Sequence, residues 1–342
     1  MSRSIIELRQ AALGGDIASM KALAQELLGS DRPEAEKWMR RAAEGGDAVA
    51  MTNLGAMLAE RDALQAESWL RQGAEAGVDL AMHNLGWLFA KTNPAESRAW
   101  FRRAAQAGYI SSMHELGISL LAEDPAEAER WLRRSAEAGM VESIYRLALL
   151  LRERAPAEAE TWYRRAVALG DARSMVDLGA LLQPRLGDPL QPEVEQLWRR
   201  AAEAGEVAAM INLGVFASHT DRVQAEQWFR LAAEKGDADG MFYVASLAVD
   251  GGDIGEAVYF WTLAANAGHL EARSKLDALD TWQAQLRQKA AAGDAMSMYQ
   301  LAMVFSHLDP SVAESWLTQA ADAGSELAQK ALAAATSKPA AT

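Results

Sequence analysis

Eleven glycines stand at regular places along this chain: Gly15, Gly46, Gly77, Gly108, Gly139, Gly170, Gly205, Gly236, Gly268, Gly293 and Gly324. The first five intervals are each 31 residues, followed by 35, 31, 32, 25 and 31. Tryptophan keeps the same period at Trp38, Trp69, Trp100, Trp131 and Trp162, and returns to register at Trp228 and Trp316. A fixed period in this range means a stack of small supersecondary units, each unable to bury its apolar face alone. Length alone, 342 residues, would make two compact domains a fair expectation. The period replaces it with a single stack.

Each unit reads as two helices. Counted from its glycine, position +5 is methionine in eight of eleven copies, from Met20 to Met298, and +8 is aliphatic from Leu23 to Leu332. Position +4 is always Ala, Ser or Gly, and +9 is Gly or Ala except at Asp277. Positions +5, +8, +9 and +12 make one apolar stripe of helical period. The small residues at +4 and +9 imply close approach of another backbone.

The second helix carries its own start signals. Asn93-Pro-Ala-Glu96 and Asp124-Pro-Ala-Glu127 place a capping side chain first, proline at the first helical position, and a glutamate to reach back; Asp309-Pro310 repeats the opening. The tryptophan follows six residues after the proline, and the unit glycine suits a left-handed C-terminal cap. Glutamate precedes arginine by four residues at Glu36/Arg40, Glu67/Arg71, Glu129/Arg133, Glu160/Arg164, Glu195/Arg199 and Glu226/Arg230. These pairs read as a solvated outer face, each contributing about 0.2–0.5 kcal/mol. The in-register tryptophans and methionines read as core.

Composition removes several functions. With no cysteine, disulfide scaffolds, thiolate zinc sites and cysteine nucleophiles are impossible. With 34 Lys+Arg against 47 Asp+Glu, the net charge of −13 repels phosphate and argues against nucleic acid. An apolar share of 50% is too high for a disordered chain. Met1–Gln10 carries charges where a signal peptide needs an apolar stretch, and the longest purely aliphatic or alanine run, Leu147–Leu151, is far short of the roughly 20 residues a membrane span needs. The expectation is therefore a cytoplasmic protein with no membrane insertion. Residues 337–342 read as a frayed, disordered tail.

The string Ala50-Met-Thr-Asn-Leu-Gly55, echoed at Ala81–Gly86 and Ala209–Gly214, resembles the first helix of Sel1-like repeats, and Ala35–Gly46 resembles the second. These repeats are relatives of the tetratricopeptide repeat, and the likeness runs from about residue 3 to 335. It implies an all-α fold: a right-handed α/α superhelix (solenoid) of about ten helix-pair repeats, mostly 31 residues each. It also implies an adaptor that binds other proteins and needs no cofactor or metal.

Three departures stand out. Most units are shorter than the usual family unit and lack its Gly-Val-containing loop. The 35-residue unit keeps a longer connection, Gln183–Pro192, containing Pro184, Pro189 and Pro192. In the unit of Gly268, Arg273 replaces the methionine and Asp277 the small residue, which is tolerable only if the two pair or face solvent. Gln285–Asp294 echoes Glu7–Asp16, a restart of the pattern. The expected organisation is thus a repeat solenoid over 1–267, a degenerate repeat with a possible bend over 268–292, and a C-terminal repeat and capping helix over 293–336. Simple repeat decay, with no functional bend, is an equal alternative.

Catalysis needs a base, nucleophile or metal set held together. The histidines are His83, His114, His219, His269 and His307, and only His83 and His114 share a register, at +6 of adjacent units. A metal-dependent hydrolase would need a third ligand, for which Glu115 is placed; the alternative is two partly exposed groove histidines. No His-Glu-x-x-His or phosphate-binding glycine loop occurs. The chain reads as a non-enzyme.

At 100° per residue, positions +3, +7 and +10 lie opposite the core stripe of the first helix, on the side that lines the concave groove. Column +7 holds Asn53, Asn84, Glu115, Arg146, Asp177, Asn212, Tyr243 and Gln300, a polar floor able to hydrogen-bond a peptide. Column +10 holds Ala56, Trp87, Ile118, Leu149, Ala180, Val215, Ser246 and Met303. Trp87 stands outside the structural tryptophan register and reads as an interface anchor, with His83, His114 and Tyr145 beside it at +6. The alternative is that these side chains pack on one another across adjacent repeats. The resulting expectation is an interaction module that holds a partner protein or peptide of basic surface in its groove. An immunity protein or chaperone for a cognate bacterial toxin or secreted effector is a narrower alternative.

Overall fold

The computed structural model describes residues 4–183 and 189–336. Pro184, with the rest of residues 184–188, and the expected tail at 337–342 lie outside the described residues. Among the described residues there are twenty-one helices and no strand. The chain divides into two compact units, Met1–Asp171 and Ala172–Thr342.

In the N-terminal unit the first helices of each pair are α2 (Ile17–Leu27), α4 (Ala48–Leu58), α6 (Asp79–Phe89), α8 (Ile110–Leu120) and α10 (Val141–Leu151). The second helices are α1 (Ile5–Leu13), α3 (Arg32–Glu44), α5 (Ala63–Glu75), α7 (Pro94–Gln106), α9 (Pro125–Glu137) and α11 (Pro156–Ala168). The C-terminal unit pairs α12 (Ala172–Leu182) with α13 (Pro192–Glu203), α14 (Val207–Ser218) with α15 (Arg222–Glu234), and α16 (Ala238–Asp250) with α17 (Ile254–Asn266). It ends with α18 (Leu270–Ala291), the pair α19 (Ala295–Phe305) and α20 (Pro310–Asp322), and α21 (Glu326–Thr336).

The glycine period is a backbone requirement. All eleven glycines have positive φ, between 84° and 101°, where an L side chain is strained. After each, a main-chain N–H reaches back across the helix end, as Asp47 does to Ala42 O and Tyr109 to Ala104 O, in a Schellman-type cap. The asparagine or aspartate before each proline caps as expected: Asn93 accepts from Glu96 N and Asp124 from Glu127 N. The following glutamates do not reach back to close a capping box. Their carboxylates are drawn to cations on the preceding second helix, Glu96 to Arg71 at 2.6 Å and Glu127 to Arg102 at 3.0 Å. A charge-assisted bond to a guanidinium outcompetes one to a neutral amide.

The +9 glycines have a different cause. A Cβ on Gly86 would stand 2.4 Å from the Phe101 ring, and one on Gly117 would stand 2.7 Å from the Leu132 side chain. The small residue at +9 therefore makes room chiefly for a large side chain from the second helix, with the backbone oxygens of Ala66 and Ala128 next closest at Gly55 and Gly117. Leu23, Leu54, Leu85, Leu116 and Leu147, the +8 column, are fully buried between the two layers.

The tryptophan column divides. Trp38, Trp100 and Trp131 are buried, whereas Trp69, Trp162, Trp228 and Trp316 are half-buried. The indole carries a polar edge that needs a partner even at the core. Trp38 Nε1 donates to Glu34 (3.3 Å), Trp131 to Glu127 (3.1 Å) and Trp162 to Glu158 (3.4 Å). Arg41, Arg103, Arg134 and Arg165 lie over the faces of Trp38, Trp100, Trp131 and Trp162 at 4.4–5.4 Å.

All six glutamate–arginine pairs read from the sequence form. A second set joins neighbouring units, including Arg61 to Glu36, Arg98 to Glu123 and Arg154 to Glu129. Glu36 and Glu129 therefore each hold two arginines, and these salt bridges hold both carboxyls below the usual carboxylate range against the opposing effect of burial.

Within residues 268–292, Leu270–Ala291 form α18, a continuous 22-residue helix with no turn where other units have one. Its buried positions are Ala272, Leu279, Gln283, Leu286 and Ala290, and Leu276 is half-buried. Arg273 and Asp277 are exposed, so their charges meet water and need no partner.

Candidate partner-binding face

Two hydrogen bonds tie α6 to α8 and α8 to α10. His83 Nδ1 on α6 is 2.8 Å from Ser112 Oγ on α8, and His114 Nδ1 on α8 is 2.8 Å from Ser143 Oγ on α10. Each joins +6 of one unit to +4 of the next. Ser112 and Ser143 are fully buried, and Ser143 also donates to Ser135 Oγ at 2.8 Å. Burial holds both imidazoles below the ordinary value of 6.5, so they are neutral near pH 7. These histidines fasten one repeat to the next. With Nδ1 of each committed to a serine, they join no group of three or more acidic or histidine side chains suited to a metal among the described residues.

One turn beyond the His83–Ser112 bond lie Trp87 on α6 and Glu115 on α8. Trp87 is 53% exposed. The indole meets the buried Phe101 ring edge-to-face with centroids 5.9 Å apart and the His83 ring at 6.5 Å, while His83 packs on Tyr109 at 4.8 Å. The indole thus packs on an aromatic cluster of Phe101, His83 and Tyr109 while about half its surface stays exposed. Glu115 is half-buried, with no ion pair or hydrogen bond from its side chain among the described residues, and burial pushes its carboxyl up.

Asn53, Asn84, Ile118, Tyr145, Arg146 and Leu149, also expected on this face, belong to the same unit. Asn53 and Asn84 are half-buried, and their side-chain amides make no hydrogen bond within the chain among the described residues. Ile118, Leu149 and Tyr145 are half-buried, and Arg146 is exposed without an ion pair among the described residues. The Tyr145 ring lies 6.4 Å from the buried Tyr163.

Asn212, Val215 and Tyr243 belong to the C-terminal unit. Tyr243 stacks on Phe229 at 4.7 Å, and with Val215 it packs on the core cluster of Ala217, Ala225, Phe229 and Val244. There the side chains fill each other's space. The same unit has a cleft of about 590 Å³ beside Pro189, Leu190, Leu213, Phe216 and His219, which sequence reasoning did not find.

Sequence reasoning also missed the Phe101–Tyr109 support beneath Trp87 and the lack of a partner for Glu115. The first was hidden because Phe101 occupies a core register. The second follows only from knowing that Arg146, at the same register one unit on, stays out of reach.

Eight segments match the Sel1 repeat family: residues 20–47, 48–78, 79–109, 110–140, 141–171, 207–237, 239–269 and 295–325. The chain belongs to that family, whose repeats typically build scaffolds for protein–protein interaction. Among solved structures, a protective antigen of uropathogenic Escherichia coli with the Sel1-like repeat fold is similar at 25% identity and TM-score 0.68, with 96% of this chain and 81% of that one covered. A Sel1 repeat protein from Oxalobacter formigenes is similar at 24% identity and TM-score 0.66, with coverages of 80% and 90%. An immunity protein from Pseudomonas aeruginosa superposes at TM-score 0.37 and 18% identity over 60% of this chain and 82% of that one, too poorly to bear on function. A comparison with curated proteins returned no match. No helix among the described residues is long and apolar enough to cross a membrane.

Proposed function

We propose that this chain is a non-enzymatic adaptor that holds an extended or helical segment of another protein along the open face of α4, α6, α8 and α10. The observation that carries this reading is Trp87, a large apolar ring left 53% exposed against the buried Phe101 ring. Rigid, half-seated aromatics are the side chains that dominate interface energetics. The unpartnered amides of Asn53 and Asn84 support the reading, because they offer donors and acceptors to a peptide backbone beside that anchor. The net charge of −13 favours a partner of basic surface and an association weakened by salt.

The test is parallel affinity capture from lysate of the source organism with the wild-type chain and Trp87→Ala, followed by titration of the purified partner against both. A partner bound by the wild type and lost by a helical, folded Trp87→Ala supports the reading. Identical capture and equal affinity for both proteins would refute it.

A further inference from the structure

Four times in the N-terminal unit a tryptophan sits between a glutamate and an arginine: Glu34/Trp38/Arg41, Glu96/Trp100/Arg103, Glu127/Trp131/Arg134 and Glu158/Trp162/Arg165. In each, the carboxylate takes the indole N–H and the guanidinium covers the ring. Trp87 and Glu115 supply an indole and a carboxylate at another place in the same unit, each one turn past the hydrogen bond that ties α6 to α8. No arginine of the chain covers Trp87 or pairs with Glu115 among the described residues. Arg146, at the same register on the next first helix, is exposed and makes no ion pair with Glu115 among the described residues.

Glu115 is conspicuous in this company. Glu36 and Glu129 each hold two arginines. Glu115 is half-buried with no cation, and a partly desolvated charge without a partner is costly. A cation brought by a ligand removes that cost, so the site discriminates in favour of basic ligands. A guanidinium suits it better than an ammonium, since its flat face stacks on an indole while its edge pairs with a carboxylate.

We propose that the segment bound on this face presents an arginine to the gap between Trp87 and Glu115, its guanidinium lying over the indole and pairing with the carboxylate. This rests on the adaptor reading and names the chemistry of its partner.

The test is selection of phage-displayed random dodecapeptides on the full-length wild type, with the winning peptide synthesised and titrated against wild type, Glu115→Gln and Trp87→Ala. The expected pool is enriched in arginine beside an apolar residue. The expected peptide binds Glu115→Gln about tenfold more weakly, the scale of a lost charge-assisted hydrogen bond, and binds more weakly still when its arginine is replaced by norleucine. Glu115→Gln should melt at the same temperature as the wild type or higher, because it removes an unmatched charge. A Trp87-dependent peptide with no arginine enrichment, or one indifferent to Glu115→Gln, overturns the arginine proposal and leaves the adaptor reading standing. Peptides that bind Trp87→Ala as well as the wild type, or a library that yields no binder, overturn both.

Discussion

Trp87→Ala and Trp100→Ala test whether two indoles thirteen residues apart have different roles. Trp87 is 53% exposed and Trp100 only 7%. A tryptophan side chain buries roughly 200 Å² when fully covered. At about 25 cal/mol per Å², truncation of the nearly covered Trp100 forfeits about 5 kcal/mol and that of the half-covered Trp87 about 2 kcal/mol. Both are upper values, because the unfolded chain already hides part of this surface. Trp100→Ala also strands the partners of its ring: Glu96, 3.5 Å from Nε1, and the guanidinium groups of Arg103 and Arg71, at 4.4 and 5.4 Å. Trp87→Ala removes only edge contacts with Phe101 and His83. The expected gap is about 2–3 kcal/mol, measured as urea midpoints by far-UV circular dichroism. A Trp87→Ala midpoint as low as that of Trp100→Ala would show that the ring at position 87 belongs to the core, and the reasoning would fail.

Three further outcomes follow from the same structure. Gly139→Ala introduces a methyl with nothing within 4 Å but forces alanine to φ +93°; it should cost about 1–2 kcal/mol from backbone strain alone, read from urea unfolding, and a neutral result would contradict the cap assignment. Glu129→Gln loses its pairing with Arg133 and Arg154, which should cost about 1 kcal/mol at low salt and less at high salt; since the folded pKa of Glu129 is depressed, its contribution is present above the ordinary value of 4.5 and fades as pH falls through the folded value. His83 and His114 have folded pKa values below 6.5, so below that pH the unfolded chain takes up protons first and stability falls; replacing both by glutamine should flatten the pH dependence of the melting temperature there, and an unchanged slope would refute the role.

The repeat was legible because its signals are local and recur. A left-handed cap needs glycine, a helix start favours Asp-Pro or Asn-Pro, and the buried stripe has helical period; each shows in the letters without knowledge of neighbours. The pairs of Glu36/Arg40 type were legible for the same reason. The second set of bridges, such as Arg61 to Glu36, was not, since it depends on how far one hairpin is displaced along the next. The tryptophans were half legible: their period marked the second helix, but not that Trp69 and Trp162 stay half-buried while Trp38, Trp100 and Trp131 are buried. On the candidate face, column arithmetic identified Trp87 as exposed. It could not tell that Tyr243 stacks on Phe229 while Trp87 meets Phe101 only edge-on and stays open, because both rings face a phenylalanine of the same register and only the contact geometry separates them. Nor could it tell that Glu115 lacks a cation.

The central claim is that stacked helix pairs in the N-terminal unit leave the first-helix face around Trp87 free to receive a protein segment. A crystal structure of the full chain with a wild-type-selected dodecapeptide tests it most directly. The account predicts a peptide lying across α6 and α8, with an arginine between the indole of residue 87 and the carboxylate of residue 115. A peptide seated on the second helices, or in the cleft beside Phe216, with the Trp87 indole left uncovered, would contradict it.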